Sequence, residues 1–391
     1  MNLLERTEVL RPAHTIDVAL EESLIQGLAV SGRLTEAVAR SETAAAALAA
    51  SGDRIGQLQI QLIGAMWRTN VDPTANAGAL GELVAEARPE IERSGDDGSL
   101  AMLELAAGYV DHYRCRFEGA LESLTRSMTY ATNAGKLWLA RNADGVAAAA
   151  VANGPTPAAE ALLWLETTDA AIPIYQPMHD VWRADILASC GHYEDARSLL
   201  DATVVQVRER GMMTLAASLM QTGWRIETLS GDLAGAERVA LAGIEQLEHL
   251  GERAWLSTQE CQLAETMYAL GRFEDAERWA TLGLEHGGTE DVLTQTMGLQ
   301  LRAKLLARRG QSGAALSLAK QADQLARSTQ APLVHGDAAL AMAEVLYLVG
   351  KLDDSEAETR RAVDCYEHKG APACVIHALE LVAAWKEGRP A

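Results

Sequence analysis

A short phrase returns along this chain at intervals of 40, 43, 39, 37, 40, 40, 39 and 40 residues. It reads as a turn residue, one free position, an aromatic residue or Leu, two more positions, then a small residue. The clearest copies are G-H-Y-E-D-A at Gly191, G-R-F-E-D-A at Gly271 and G-D-L-A-G-A at Gly231. Looser copies start at Gly32, Cys115, Gly154, Gly310 and Gly350, and the weakest at Asp72. A constant period in this range excludes most globular folds. Each unit is too small to bury its own apolar face, so the units must stack on one another. A chain of 391 residues then needs no division into separate cores, because a solenoid lengthens without adding any.

The phrase sits between two helical patterns. Around Gly271, Leu256, Leu263, Ala264, Met267 and Leu270 recur at helical spacing before it, and Phe273, Ala276, Trp279, Ala280 and Leu284 after it. No strand pattern appears. The segment Ala171 to Met178, with Pro173 and Pro177, reads as a linker. Both phenylalanines of the chain, Phe117 and Phe273, occupy the aromatic slot, as expected if that side chain plugs a tight αα turn.

Two further slots test the register. Seven residues before the turn stand Ala65, Gly108, Ala147, Ala184, Ala264, Ala303 and Ala343, with Ile25 and Trp224 as exceptions. Twelve after it stand Ala44, Ser127, Thr203, Gly243, Gly283, Ala322 and Ala362, with Val84 and Glu166 as exceptions. Small residues at these places let neighbouring helices approach closely.

This small, turn, aromatic, Ala, small pattern resembles the tetratricopeptide repeat, whose standard length is 34 residues. The resemblance implies an all-α, right-handed superhelical solenoid of about nine helical hairpins running from Ala13 to Gly370. A capping helix over 371–387 would close it, with sub-blocks at 13–170 and 177–370. Two segments, G-P-T-P-A-A-E-A-L-L-W-L-E from Gly154 and the run from His335 to Gly370, resemble the helical tails of large bacterial regulators. In those proteins the tail follows a nucleotide-cyclase or signalling-ATPase domain. No G-x-x-x-x-G-K-[ST] phosphate loop and no cyclase-like carboxylate pair occurs here, so only the tail's interaction role carries over.

Composition narrows the partners. A formal charge of −20 repels phosphate backbones and anionic membranes, which argues against nucleic acid and membrane docking. No signal sequence and no bilayer-spanning run is visible, and the five cysteines form no disulfide framework; a cytoplasmic protein is expected. The motifs H-E-x-x-H, G-x-S-x-G and G-x-G-x-x-G are absent, so no enzyme and no cofactor is expected. One spacing is metal-like: Cys365-x-x-His368 and Cys374-x-x-His377 flank a short turn and could ligate zinc.

In tetratricopeptide geometry the concave face is lined by the first helix of each unit, at positions three and six before the turn. At position six, successive units read Asp185, Arg225, Glu265, Lys304 and Glu344, a row of alternating sign. It is either an inter-repeat ion-pair ladder or a polar groove presented to a ligand. Tyr109, His112, Arg141, Asp144, Gln221, Gln300, Tyr268 and Tyr347 share that face, and Trp224 occupies a slot where a small residue is expected. The reading is a module that binds a peptide, a protein segment or a small effector in its groove, in bacterial signalling or transcriptional regulation. A self-associating architectural module and an enzyme with a pocket between repeats are the alternatives.

Overall fold

The computed structural model describes residues 16–72, 77–171 and 177–387. The centre of the expected linker and the start of the first unit at Ala13 lie outside those residues.

Every described segment of regular structure is a helix, and the helices fall in pairs around the recurring phrase. The first unit pairs α1 (Val18–Val30) with α2 (Leu34–Ser51), and the second α3 (Arg54–Arg68) with α4 (Ala77–Ser94). Next come α5 (Asp97–Tyr113) with α6 (Phe117–Asn133), α7 (Leu137–Asn153) with α8 (Ala158–Ala171), and α9 (Pro177–Ser189) with α10 (Tyr193–Glu209). In the sixth unit the first helix is broken at Leu219 into α11 (Met213–Ser218) and α12 (Met220–Ser230), which pair with α13 (Leu233–Leu250). The last three units are α14 (Ala254–Ala269) with α15 (Phe273–His286), α16 (Val292–Arg308) with α17 (Ser312–Arg327), and α18 (Pro332–Leu348) with α19 (Leu352–Lys369). A final helix, α20 (Pro372–Lys386), covers the ninth unit. The fold is therefore an all-α tetratricopeptide-like solenoid of nine hairpins and a terminal helix.

Local chemistry accounts for the boundaries. Several first helices start at an aspartate whose carboxylate accepts a backbone N–H three residues on: Asp53 from Gly56, Asp96 from Ser99, Asp291 from Thr294. Second helices start directly from the turn, and acidic pairs such as Glu194–Asp195 and Glu274–Asp275 face the positive end of the helix dipole. Gly191 has φ +89, a left-handed conformation that other residues resist. Cys115 adopts the same conformation at φ 51, and among the described residues no other non-glycine does.

The small slots act as the sequence implies. A Cβ on Gly108 would stand 2.6 Å from Leu124, and one on Gly283 would stand 2.8 Å from the Ser257 carbonyl. In the sixth unit the close approach is made by Gly223 beside Val239, one residue before Trp224. The helix pair keeps its spacing and the Trp224 ring is released from it.

The solenoid coils tightly enough for its second turn to sit on its first. The contacts join residues separated by 180 to 218 positions, about five units. Thr214 donates its hydroxyl to the Ala29 carbonyl at 2.9 Å. The backbone N–H of Arg253 donates to Asn70 O at 2.6 Å, and that of Gln330 to Cys115 O at 2.8 Å. Glu290 accepts from the Gly78 N–H at 2.8 Å, and Gln330 accepts from the Glu118 N–H at 2.9 Å. Lys369, 2% exposed, donates its ammonium to the carbonyls of Gly154 at 2.8 Å and Thr156 at 2.6 Å, with Val151 O at 3.4 Å. The turns of the early units thus form a seam with the inter-unit loops of the late ones. Gly32 is required there for a second reason, since a Cβ would run into the Leu250 side chain.

Candidate ligand cavity

Because the two turns meet along this seam, the concave face forms a deep, partly open cavity of about 1500 Å³ among the described residues. Its wall draws on every unit and on α20. Twelve of the fourteen residues placed on the concave face by the repeat register line it: Tyr109, His112, Arg141, Asp185, Gln221, Trp224, Arg225, Glu265, Tyr268, Gln300, Lys304 and Glu344.

Two do not. Asp144 is fully buried between helices, with its carboxylate 2.9 Å from Nε2 of His179, itself fully buried against the Leu165 carbonyl. The first turn of α9 carries His179 there and draws Asp144 away from the cavity. Tyr347 is covered by the terminal helix, donating its hydroxyl to Trp385 O at 3.0 Å with the rings 6.3 Å apart.

The four residues of the metal-like spacing do not converge either. Cys374 and His377 face the central cavity, whereas Cys365 and His368 line a separate outer pocket with Glu118 and Gln330. The turn at Gly370 and Ala371 puts the two pairs on opposite sides of the wall. Among the described residues no three His, Cys, Asp or Glu side chains are grouped to hold a metal.

The alternating row resolves into separate pairs. Arg225 Nε lies 3.5 Å from Asp185, and Lys304 Nζ lies 2.5 Å from Glu265. Glu344 does not continue the ladder to Lys304. It accepts from Arg308 at 3.1 Å and from the Tyr268 hydroxyl, while the ammonium of Lys304 stands 4.6 Å from the centre of the Tyr268 ring. The row is thus both inter-repeat pairing and cavity wall. Burial, and then the Glu344 carboxylate, hold the Tyr268 phenol far above its usual range. Burial works against the charge on Arg225, but Asp185 and its other neighbours keep the guanidinium protonated.

Aromatic rings share this wall. Of the eight tryptophans in the chain, Trp67, Trp138, Trp182, Trp224, Trp255 and Trp385 line the cavity. Trp224 donates its indole N–H to Thr266 at 2.8 Å, and Tyr109 donates to Asn142 at 3.0 Å. His112 packs edge-on against Phe117, and burial pushes its pKa down to about 4, so it is neutral at physiological pH. Several cavity-lining side chains carry buried polar atoms without a hydrogen-bond partner among the described residues, among them Gln262 Oε1, Gln300 Nε2 and the indole nitrogens of Trp182 and Trp385. Unmet polar atoms of this kind cost about 1–3 kcal/mol each.

Fold and cavity together define a tetratricopeptide-like solenoid wound around a ligand-sized space. No protein-family model matches the chain. No curated protein matches it. Among solved structures, a Rap protein complexed with competence and sporulation factor superposes with a TM-score of 0.66 at 12% identity, over 91% of this chain and 99% of that one. Yeast Tom70 gives a TM-score of 0.38 at 14% identity, over 95% and 89% of the two chains. No helix among the described residues is long and apolar enough to cross a membrane.

Proposed function

We propose that this chain is a non-catalytic sensor that captures a short peptide or peptide-sized effector inside the superhelix. The carrying observation is the cavity. It exceeds the roughly 300–1,000 Å³ typical of small-molecule sites, and it combines an aromatic wall with buried polar atoms lacking partners. Aromatic anchors beside a few fixed polar groups are the usual makings of a recognition site. The Rap structure, of similar overall shape, was solved complexed with a factor. The resemblance to regulator tails favours a bacterial, cytoplasmic setting in which the bound state is passed to a signalling or transcription partner.

The test begins with protein purified from its native host, denatured, and its released contents identified by mass spectrometry. A peptide near one equivalent is expected from the native chain. Met297→Trp, which places a larger side chain in the cavity wall, should lose the peptide without losing its thermal transition. Release of nothing from the native chain, with no change in tryptophan fluorescence on adding mixed synthetic peptides, refutes the proposal.

A second reading rests on α20, where Ile376 and Leu379 are 58% and 51% exposed on the outer face. An exposed apolar face of this kind favours self-association through this helix. Light scattering over a concentration series decides it: a strict monomer removes this reading.

A further inference from the structure

Asp337 is a cavity-wall carboxylate that makes no ion pair among the described residues. It lies on α18 and keeps an exposed surface. The surface it keeps opens on the cavity. Among the described residues its one hydrogen-bond partner is the Tyr366 hydroxyl, which donates to Oδ1 at 2.7 Å. The second oxygen, Oδ2, has none. The cations that act on Asp337 are Arg225 and Lys304, and each already faces another carboxylate, Asp185 at 3.5 Å and Glu265 at 2.5 Å.

The surroundings hold this carboxylate in place. Tyr366, 2% exposed, reaches Asp337 because its ring lies directly over Gly336, where any Cβ would collide with it. The phenol occupies one oxygen and leaves the other directed to free space. The protein around Asp337 raises its pKa above the ordinary carboxylate value, and Oδ2 has no protein partner among the described residues to offset this. A cation arriving from the cavity would supply that missing partner, and a charge-assisted hydrogen bond is roughly twice as strong as a neutral one.

We propose that Asp337 anchors a cationic group, an alkylammonium or a guanidinium, on the ligand that enters the cavity. This rests on the reading of the cavity as a ligand chamber. It narrows the ligand to one with a Lys or Arg side chain or a free amino terminus, placed near the ionic wall while its apolar part meets the tryptophans.

N-acetylated hexapeptide pools, each with one position fixed, are titrated into the full chain and followed by tryptophan fluorescence, with the Gln pool also run unacetylated so that a free amino terminus is read separately. Pools with Lys or Arg at one position should bind about tenfold to a hundredfold tighter than the matching Gln pool. Asp337→Asn, which can still accept from Tyr366, should reduce that preference to less than about twofold, with a retained cooperative thermal transition showing that the variant is folded. Spermidine and acetyl-arginine amide, run in parallel, separate a small polycation from a peptide as the source of the charge. If pools bind without a cationic preference, or the preference survives Asp337→Asn, the proposal fails while the chamber reading stands. If spermidine binds in an Asp337-dependent way and no pool does, the anchor stands and the peptide reading fails. If neither binds, both fail.

Discussion

Glu252 is the sharpest test of how the seam is held. It lies between α13 and α14 and is completely buried. Its Oε1 accepts from the Ala254 N–H at 3.1 Å, and its Oε2 from Trp255 at 2.8 Å and Leu256 at 3.3 Å. The Asn70 side chain, from the other turn of the superhelix, also bonds to it. Burial nevertheless dominates these bonds and raises the carboxyl from 4.5 to about 8. A folded pKa above the unfolded one means that the native state holds the proton more tightly. The stabilisation is complete below the unfolded value and is lost as pH rises through about 8. Integrated from about pH 5 to about pH 8.5, the group costs the fold about 4 kcal/mol. Glu252→Gln removes the titration but leaves an N–H facing N–H groups, at about 1–3 kcal/mol. Urea unfolding of both proteins across this range should give crossing curves. The variant should be less stable near pH 5 and equal to or more stable than the native chain near pH 8.5. Parallel curves would show that Glu252 does not change its protonation on unfolding, and the reasoning would be wrong.

Two further substitutions address other parts of the design. Lys369→Met leaves the carbonyls of Gly154 and Thr156 buried without their ammonium donor. It should cost about 2–4 kcal/mol in urea unfolding and accelerate hydrogen exchange at the α7–α8 end of the seam; unchanged exchange there would disprove the latch. Gly191→Ala introduces a Cβ that meets nothing within 4 Å, so only the left-handed backbone at φ +89 opposes it. The expected loss is about 1–2 kcal/mol, read as a lower urea midpoint with an unchanged slope.

The hairpins were legible because turn chemistry and helix packing are local. A six-residue phrase and two small slots place all nine units and predict which helix faces the concavity. The seam was not legible, because it depends on the superhelical pitch, a sum of small rotations that no single unit encodes. Its trace was nonetheless present in the exceptions. The Asp72 and Cys115 turns depart from glycine, and they belong to units whose turn regions receive the second superhelical turn, through Arg253 on Asn70 and Gln330 on Cys115. Asp337 was also within reach. It stands thirteen residues before its turn, as Arg141 does in the fourth unit, and seven before Glu344, on one helical face. Asp144 defeats the same argument, because its orientation is set by His179 on a different unit.

The seam also changes what binding must involve. A groove exposed along its length would admit a ligand from the side, and its affinity would depend on the wall alone. Here the wall is continuous only while Glu252, Asn70, Gln330 and Lys369 hold one turn of the superhelix on the other. A ligand that touches units on both sides of the cavity adds contacts that exist only when the seam is made. By linkage it must stabilise the seam by as much as the seam strengthens its binding. Weakening the seam at Lys369 should therefore lower ligand affinity although Lys369 does not line the cavity. Equal affinity in the native chain and Lys369→Met would mean that the ligand is held by one turn alone.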